Sequence, residues 1–114
     1  NNTGVGINAM DAITTADGTT AIGNNALSKV TTGASNTAVG VQALLDNVSG
    51  TQNTSIGGYG LANVTGSYNT GAGYSAGMGV IGGAYNTFLG RQAGDNVTTG
   101  DGNVCIGSNA DPAF

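Results

Sequence analysis

Charge is scarce. Of 114 residues only 7% are Asp, Glu, Lys or Arg, against roughly a quarter in a typical soluble domain. The bases are Lys29 and Arg91 alone. The acids are all aspartate (Asp11, Asp17, Asp46, Asp95, Asp101 and Asp111), and the formal net charge is −4. Tracking phosphates takes clustered Lys and Arg that displace counterions, so no nucleic-acid partner is expected, and anionic membrane surfaces are disfavoured for the same reason. His, Glu and Trp are absent. Acid–base and nucleophilic catalysis therefore lack their usual side chains. Paired aspartates alone could hydrolyse glycans, but these six fall in turn-like stretches with no flanking aromatic groove, and no enzyme activity is expected. The one cysteine, Cys105, can form no internal disulfide and reads as a small buried apolar residue. No apolar run approaches the roughly 20 residues that span a bilayer as a helix, so membrane insertion is not expected.

What the chain has in excess is glycine, 22 in all, together with Asn, Ser and Thr. Such a composition can mean disorder, but the order within the sequence argues against it. A five-letter word recurs: NTGVG, TTAIG, NTAVG, NTSIG, NTGAG, NTFLG, NVCIG. Its first letters stand at Asn2, Thr19, Asn36, Asn53, Asn69, Asn86 and Asn103, in steps of 17, 17, 17, 16, 17 and 17. Fixed-period self-similarity marks a repeat architecture. With the first letter as offset zero, offset four is glycine in every copy: Gly6, Gly23, Gly40, Gly57, Gly73, Gly90 and Gly107. Offset three is always apolar (Val5, Ile22, Val39, Ile56, Ala72, Leu89, Ile106), and offset seven is always Ala or Gly. A further apolar beat falls near offset eleven, at Ile13, Val30, Val48 (one position late), Val64, Val80 and Val97.

Seventeen residues are too few for a two-helix repeat. They suit one coil of a parallel β-solenoid: a short strand, a corner at the glycine, a second short strand and a turn. The expected fold is thus all-β, a parallel β-solenoid of about seven coils forming one repeat domain over residues 1–114, read as a segment of a longer fibre. Stacking at about 4.8 Å per coil puts Asn on Asn, so that Asn36, Asn53, Asn69, Asn86 and Asn103 form a ladder of hydrogen-bonding amides. The single 16-residue step should shorten one turn and leave that ladder whole. Period-2 alternation puts offsets one and three on one strand face, zero and two on the other, and neither face carries charge. A strand acceptable to burial on both sides implies a coil interior on one and a partner on the other, hence a homo-oligomer. Whether the apolar offset-three rank lies inside the coil or between chains is open at this point.

Several motif matches dissolve into the repeat. GVGINA (4–9) and GAGYSA (71–76) match a dinucleotide-binding glycine pattern but lack the strand, helix and acid that it requires, so no cofactor is expected. DNVTTGDGN (95–103) brings Asp95 and Asp101 into one turn, where a weak calcium site competes with a plain solvated turn; no metal is assigned. Glycosylation sequons at Asn1, Asn47, Asn53, Asn63 and Asn96 arise from composition.

TAIGNNAL (20–27), TAVGVQAL (37–44) and TSIGGYGL (54–61) resemble the head repeats of YadA-type trimeric autotransporter adhesins. The fuller pattern, NTAVG…ALLDNVSGTQ and GRQAGDNVTTGDGNVCIGSNADP, is similar to repeats of bacteriophage tail fibres. The resemblance runs from Asn2 to about Pro112. It implies a homotrimer of left-handed β-rolls. It also implies a structural or adhesive role in host attachment, on the virion or, in the adhesin version, at a bacterial cell surface. A reading of another class, an ice-binding solenoid, is raised by the Thr column at offset one, although only one such column is regular. Recognition by a fibre this poor in charge would rest on Asn, Thr and Ser hydrogen bonds and on aromatic stacking. The four tyrosines, Tyr59, Tyr68, Tyr74 and Tyr85, all fall in the coils that start at Asn53 and Asn69. They are the candidate contacts for a cell-surface glycan. Tyr68 and Tyr85 each precede a repeat Asn and should lie one above the other.

Overall fold

In a computed structural model, which describes residues 1–112, each word becomes one rung of a stack. The strands are β1 (Thr3–Val5), β2 (Thr20–Ile22), β3 (Thr37–Val39), β4 (Thr54–Ile56), β5 (Thr70–Ala72), β6 (Thr87–Leu89) and β7 (Val104–Ile106). They form one parallel sheet in chain order. Like positions pair with like throughout, as in Thr20↔Thr37, Ala21↔Ala38 and Ile22↔Val39. There is no helix among the described residues. The result is a β-solenoid with overall dimensions 39 × 21 × 16 Å.

The repeat Asn is a strap, and more than a stacked amide. Asn36, Asn53, Asn69 and Asn86 are buried. In each, Oδ1 accepts a hydrogen bond from the backbone N–H that opens the next rung: Asn53 N at 2.8 Å, Asn69 N at 2.9 Å, Asn86 N at 3.1 Å and Asn103 N at 2.8 Å. The Nδ2 of each donates across the coil interior to a glycine carbonyl 13 or 14 residues on, Gly50, Gly66, Gly83 and Gly100 respectively. Direct amide-to-amide bonds also occur from Asn69 onward, at 3.0–3.2 Å. The side chain therefore satisfies buried backbone groups on both walls of a narrow coil, a requirement that no apolar residue meets. Thr19 interrupts the series; its hydroxyl reaches only the Asp17 carbonyl at 3.4 Å.

The expected second strand does not form. Past the corner glycine every other residue adopts a left-handed backbone, as at Asn25 (φ 56°) and Leu27 (φ 50°), and again at Gln42 and Leu44 (both 54°). This alternation curls the chain around the corner, yet keeps its amides along the stacking axis. Leu27 N donates to Ala43 O at 3.0 Å, Leu44 N to Gly60 O at 3.1 Å and Leu61 N to Ala76 O at 2.9 Å. The return leg is thus bonded coil to coil without being extended. Left-handed leucine costs roughly 1–2 kcal/mol per residue, and full burial of the side chain, about 1.5–3 kcal/mol, offsets it.

Met10, Leu27, Leu44 and Leu61 open a core column at offset eight, opposite the small offset-two residues Gly4, Ala21, Ala38 and Ser55. In the next two coils offset eight is Gly77 and Gly94, and their missing side chains are replaced by Phe88. A Cβ on Gly77 would lie 2.5 Å from the Phe88 ring, and one on Gly94 would lie 2.1 Å from it. Volume is conserved along the stack by exchanging which wall supplies it.

At offset eleven the buried residue of the third coil is Asn47; Val48 points outward. The one-position-late reading of Val48 is therefore corrected: the column keeps its register and accepts a polar side chain. Asn47 Nδ2 reaches the Gly50 carbonyl at 3.1 Å, which already accepts from Asn36 at 2.7 Å. Asn47 Oδ1 has no partner among the described residues, and neither does the buried Ser55 Oγ. Asn47→Val should restore the column and raise stability by about 1–3 kcal/mol, the cost of an unsatisfied buried polar group. Urea denaturation with an unchanged slope and a higher midpoint is the expected result.

The short step is absorbed where it does least harm. Only Thr65 separates Val64 from Gly66, where the other coils have two residues. The Asn53 Nδ2 bond to the Gly66 carbonyl (2.8 Å) and the Thr54↔Thr70 register are kept.

Candidate functional site

Two outward features remain once the core is assigned. The first is the sheet face. Because offsets zero and two point inward, offsets one and three point out. The structure thus decides the open question about the apolar rank: Val5, Ile22, Ile56, Leu89 and Ile106 are exposed, with Ile56 at 52% and Leu89 at 51%. Beside them run Thr3, Thr20, Thr37, Thr54, Thr70 and Thr87, with Val104 closing that rank. The face is uncharged and continuous over all seven strands.

The second feature is the tyrosines, which form two pairs on opposite edges of that face. Tyr68 and Tyr85 stand before the strands. Their rings stack with centroids 4.9 Å apart and planes within 1° of parallel, as their shared position before the repeat Asn requires. Tyr59 and Tyr74 lie beyond the corner glycine at the other end of the strands. They meet edge to face with centroids 5.7 Å apart and planes at 71°. They differ from the first pair because Tyr59 sits one position later in its coil than Tyr74 does in its own. The four candidates thus do not make one platform.

Asp95 and Asp101 make separate contacts. Asp95 faces Asp111, and its carboxyl is pushed upward, first by desolvation and then by the Asp111 charge. Asp101 folds back onto the Ala84 N–H at 2.7 Å. Among the described residues no cluster of three metal-ligating side chains forms. Cys105 is buried, and desolvation is the main cause of its raised thiol pKa. Lys29 is engaged with Asp46 at 2.6 Å, and Arg91 donates to Asn109 Oδ1 at 3.4 Å.

The residues that sequence reasoning missed are structural: the offset-eight column and Asn47. Regular Leu at 27, 44 and 61 was a usable signal, hidden by the glycines that follow it at 77 and 94. Compared with models of protein families, with curated proteins and with solved structures, the chain matches none of them.

Proposed function

We propose that this chain is a structural and adhesive segment of a trimeric fibre, of the bacteriophage tail-fibre kind that its repeats resemble, taking part in host attachment. The observation that carries the reading is the uncharged outward sheet face with its unbroken apolar rank. Soluble monomers rarely leave such a patch uncovered. A second copy of the chain carries the same ranks at the same rung spacing, so side chains of two copies can meet rung for rung along the whole stack. Closed rotational symmetry then covers the face on every copy. A fibre on the virion is the reading adopted; an adhesin head at a bacterial surface uses the same geometry.

Sedimentation of the purified chain should give a trimer at micromolar concentration. Ile56→Asp combined with Leu89→Asp should give a folded monomer, because each charge would have to be desolvated in the contact. A stable, folded wild-type monomer would overturn the oligomer. The outward Thr rank beside the aliphatic one favours a second reading, an ice-binding face, and thermal hysteresis in the purified chain would select it.

A further inference from the structure

The residues that precede the repeat Asn form a column along one edge of the face: Gly18, Ser35, Gln52, Tyr68, Tyr85 and Gly102. Its rungs are aligned by backbone bonds: Gln52 N to Ala34 O at 3.1 Å, Tyr68 N to Thr51 O at 3.0 Å, Tyr85 N to Ser67 O at 3.3 Å and Gly102 N to Ala84 O at 3.0 Å. Gly102 is therefore registered on Tyr85 as Tyr85 is on Tyr68. One face of the Tyr85 ring is covered by Tyr68. The other looks onto the rung of Gly102, where a Cβ would have nothing within 4 Å. The aromatic column thus ends on an open ring face beside a step with no side chain, and Tyr85 is 64% exposed.

We propose that this step is a binding site for a neutral pyranose ring of a glycan. A rung is about 4.8 Å tall, which accommodates one saturated ring lying flat on the phenol. The C–H face of a pyranose is the apolar surface that an aromatic face takes, while its hydroxyls stay at the rim. Asp101, one residue before Gly102, bonds to Ala84, the residue before Tyr85, and so brings its carboxylate to this rung. One of its oxygens accepts from Ala84 N, and a carboxylate has lone pairs for further donors. Sugar hydroxyls are donors of this kind. An aromatic side chain of a neighbouring copy would fill the step but leave the carboxylate unused. Neither base serves the site, since Lys29 pairs with Asp46 and Arg91 stands past the corner glycine at the opposite edge of the face. Acidic sugars are therefore selected against.

The site rests on the adhesive part of the fibre reading and is independent of the trimer. The test is saturation-transfer NMR on the chain with methyl glucopyranoside, methyl galactopyranoside and N-acetylglucosamine, and with a methyl sialoside for comparison. A neutral pyranoside should receive saturation on one ring face, and the sialoside should not. Gly102→Gln fills the step without removing a contact. It should fold, because Gln52 holds φ 55° in the same column and Gly102 has φ 68°. It should weaken binding by about fivefold or more, as should Tyr85→Gln, the size of one aromatic contact. Absence of transfer to every neutral pyranoside, equal transfer to the sialoside, or wild-type binding by Gly102→Gln would each overturn the site. Sedimentation of the same samples separates the two readings. Sugar binding by a monomer keeps the site and removes the trimer. A trimer that binds no sugar, and that Tyr85→Gln dissociates, assigns the ring face to a neighbouring chain.

Discussion

Gly57→Val is expected to lower the melting temperature by about 10–20 °C. Gly57 has φ 131°, and a Cβ there would lie 2.5 Å from the Gly73 carbonyl oxygen and 2.7 Å from its carbon. Both atoms are backbone of the next coil, held by the ladder, so neither can step aside alone. The backbone conformation costs a side-chain-bearing residue about 1–3 kcal/mol, and forcing the rungs apart adds about 1–3 kcal/mol more. Gly82→Ala is the control: a Cβ at Gly82 meets nothing within 4 Å, and its melting temperature should stay within about a degree of wild type. Thermal melts followed by circular dichroism separate the two outcomes. Equal melting of Gly57→Val and Gly82→Ala would show that the corner glycines are exchangeable.

Phe88→Ala should cost about 3–5 kcal/mol, the usual loss for a fully buried aromatic side chain. The more searching variant is the rescue. Phe88→Ala with Gly77→Leu and Gly94→Leu copies the arrangement of the second and third coils, where Ala21 and Ala38 face Leu27 and Leu44. Gly77 (φ 63°) and Gly94 (φ 72°) already hold the left-handed backbone that Leu27 and Leu44 adopt. The triple variant should regain most of the loss in chemical denaturation, while Gly94→Leu alone, placed against the Phe88 ring, should destabilise. Additive effects of the three substitutions would refute volume exchange between the walls, since residues sharing one cavity are expected to couple.

The strands and corners were legible in the sequence because stacking writes the same residue type at the same offset. The Asn, the Thr and the glycine of each word are constrained by the coil on either side of them. The return leg was not legible as such. Its left-handed positions carry Leu27, Leu44 and Leu61, residue types that give no local sign of that conformation. Phe88 stands in for side chains missing at positions 77 and 94, a compensation across the coil that one column examined alone cannot reveal. Asn47 holds the column position although Val48 beside it matches the column's residue type: register, which hydrogen bonds enforce, outranks type. Among the candidate contacts, the stacking of Tyr68 on Tyr85 followed from shared register. The separation of Tyr59 and Tyr74 to the other edge followed from the corner, which carries the chain away from the sheet face after the glycine.

Each strand pairs only with the strands before and after it in the chain. Under tension along the 39 Å axis, the rungs are links in series and every link bears the full load. Extensibility is then governed by the weakest rung rather than by the mean. The third and fourth coils contain both orphaned polar atoms, Asn47 Oδ1 and Ser55 Oγ, and the shortened turn at Thr65 adjoins them. A pulled stack would part there first, and the same substitution that fills the Asn47 position with valine would raise its breaking force.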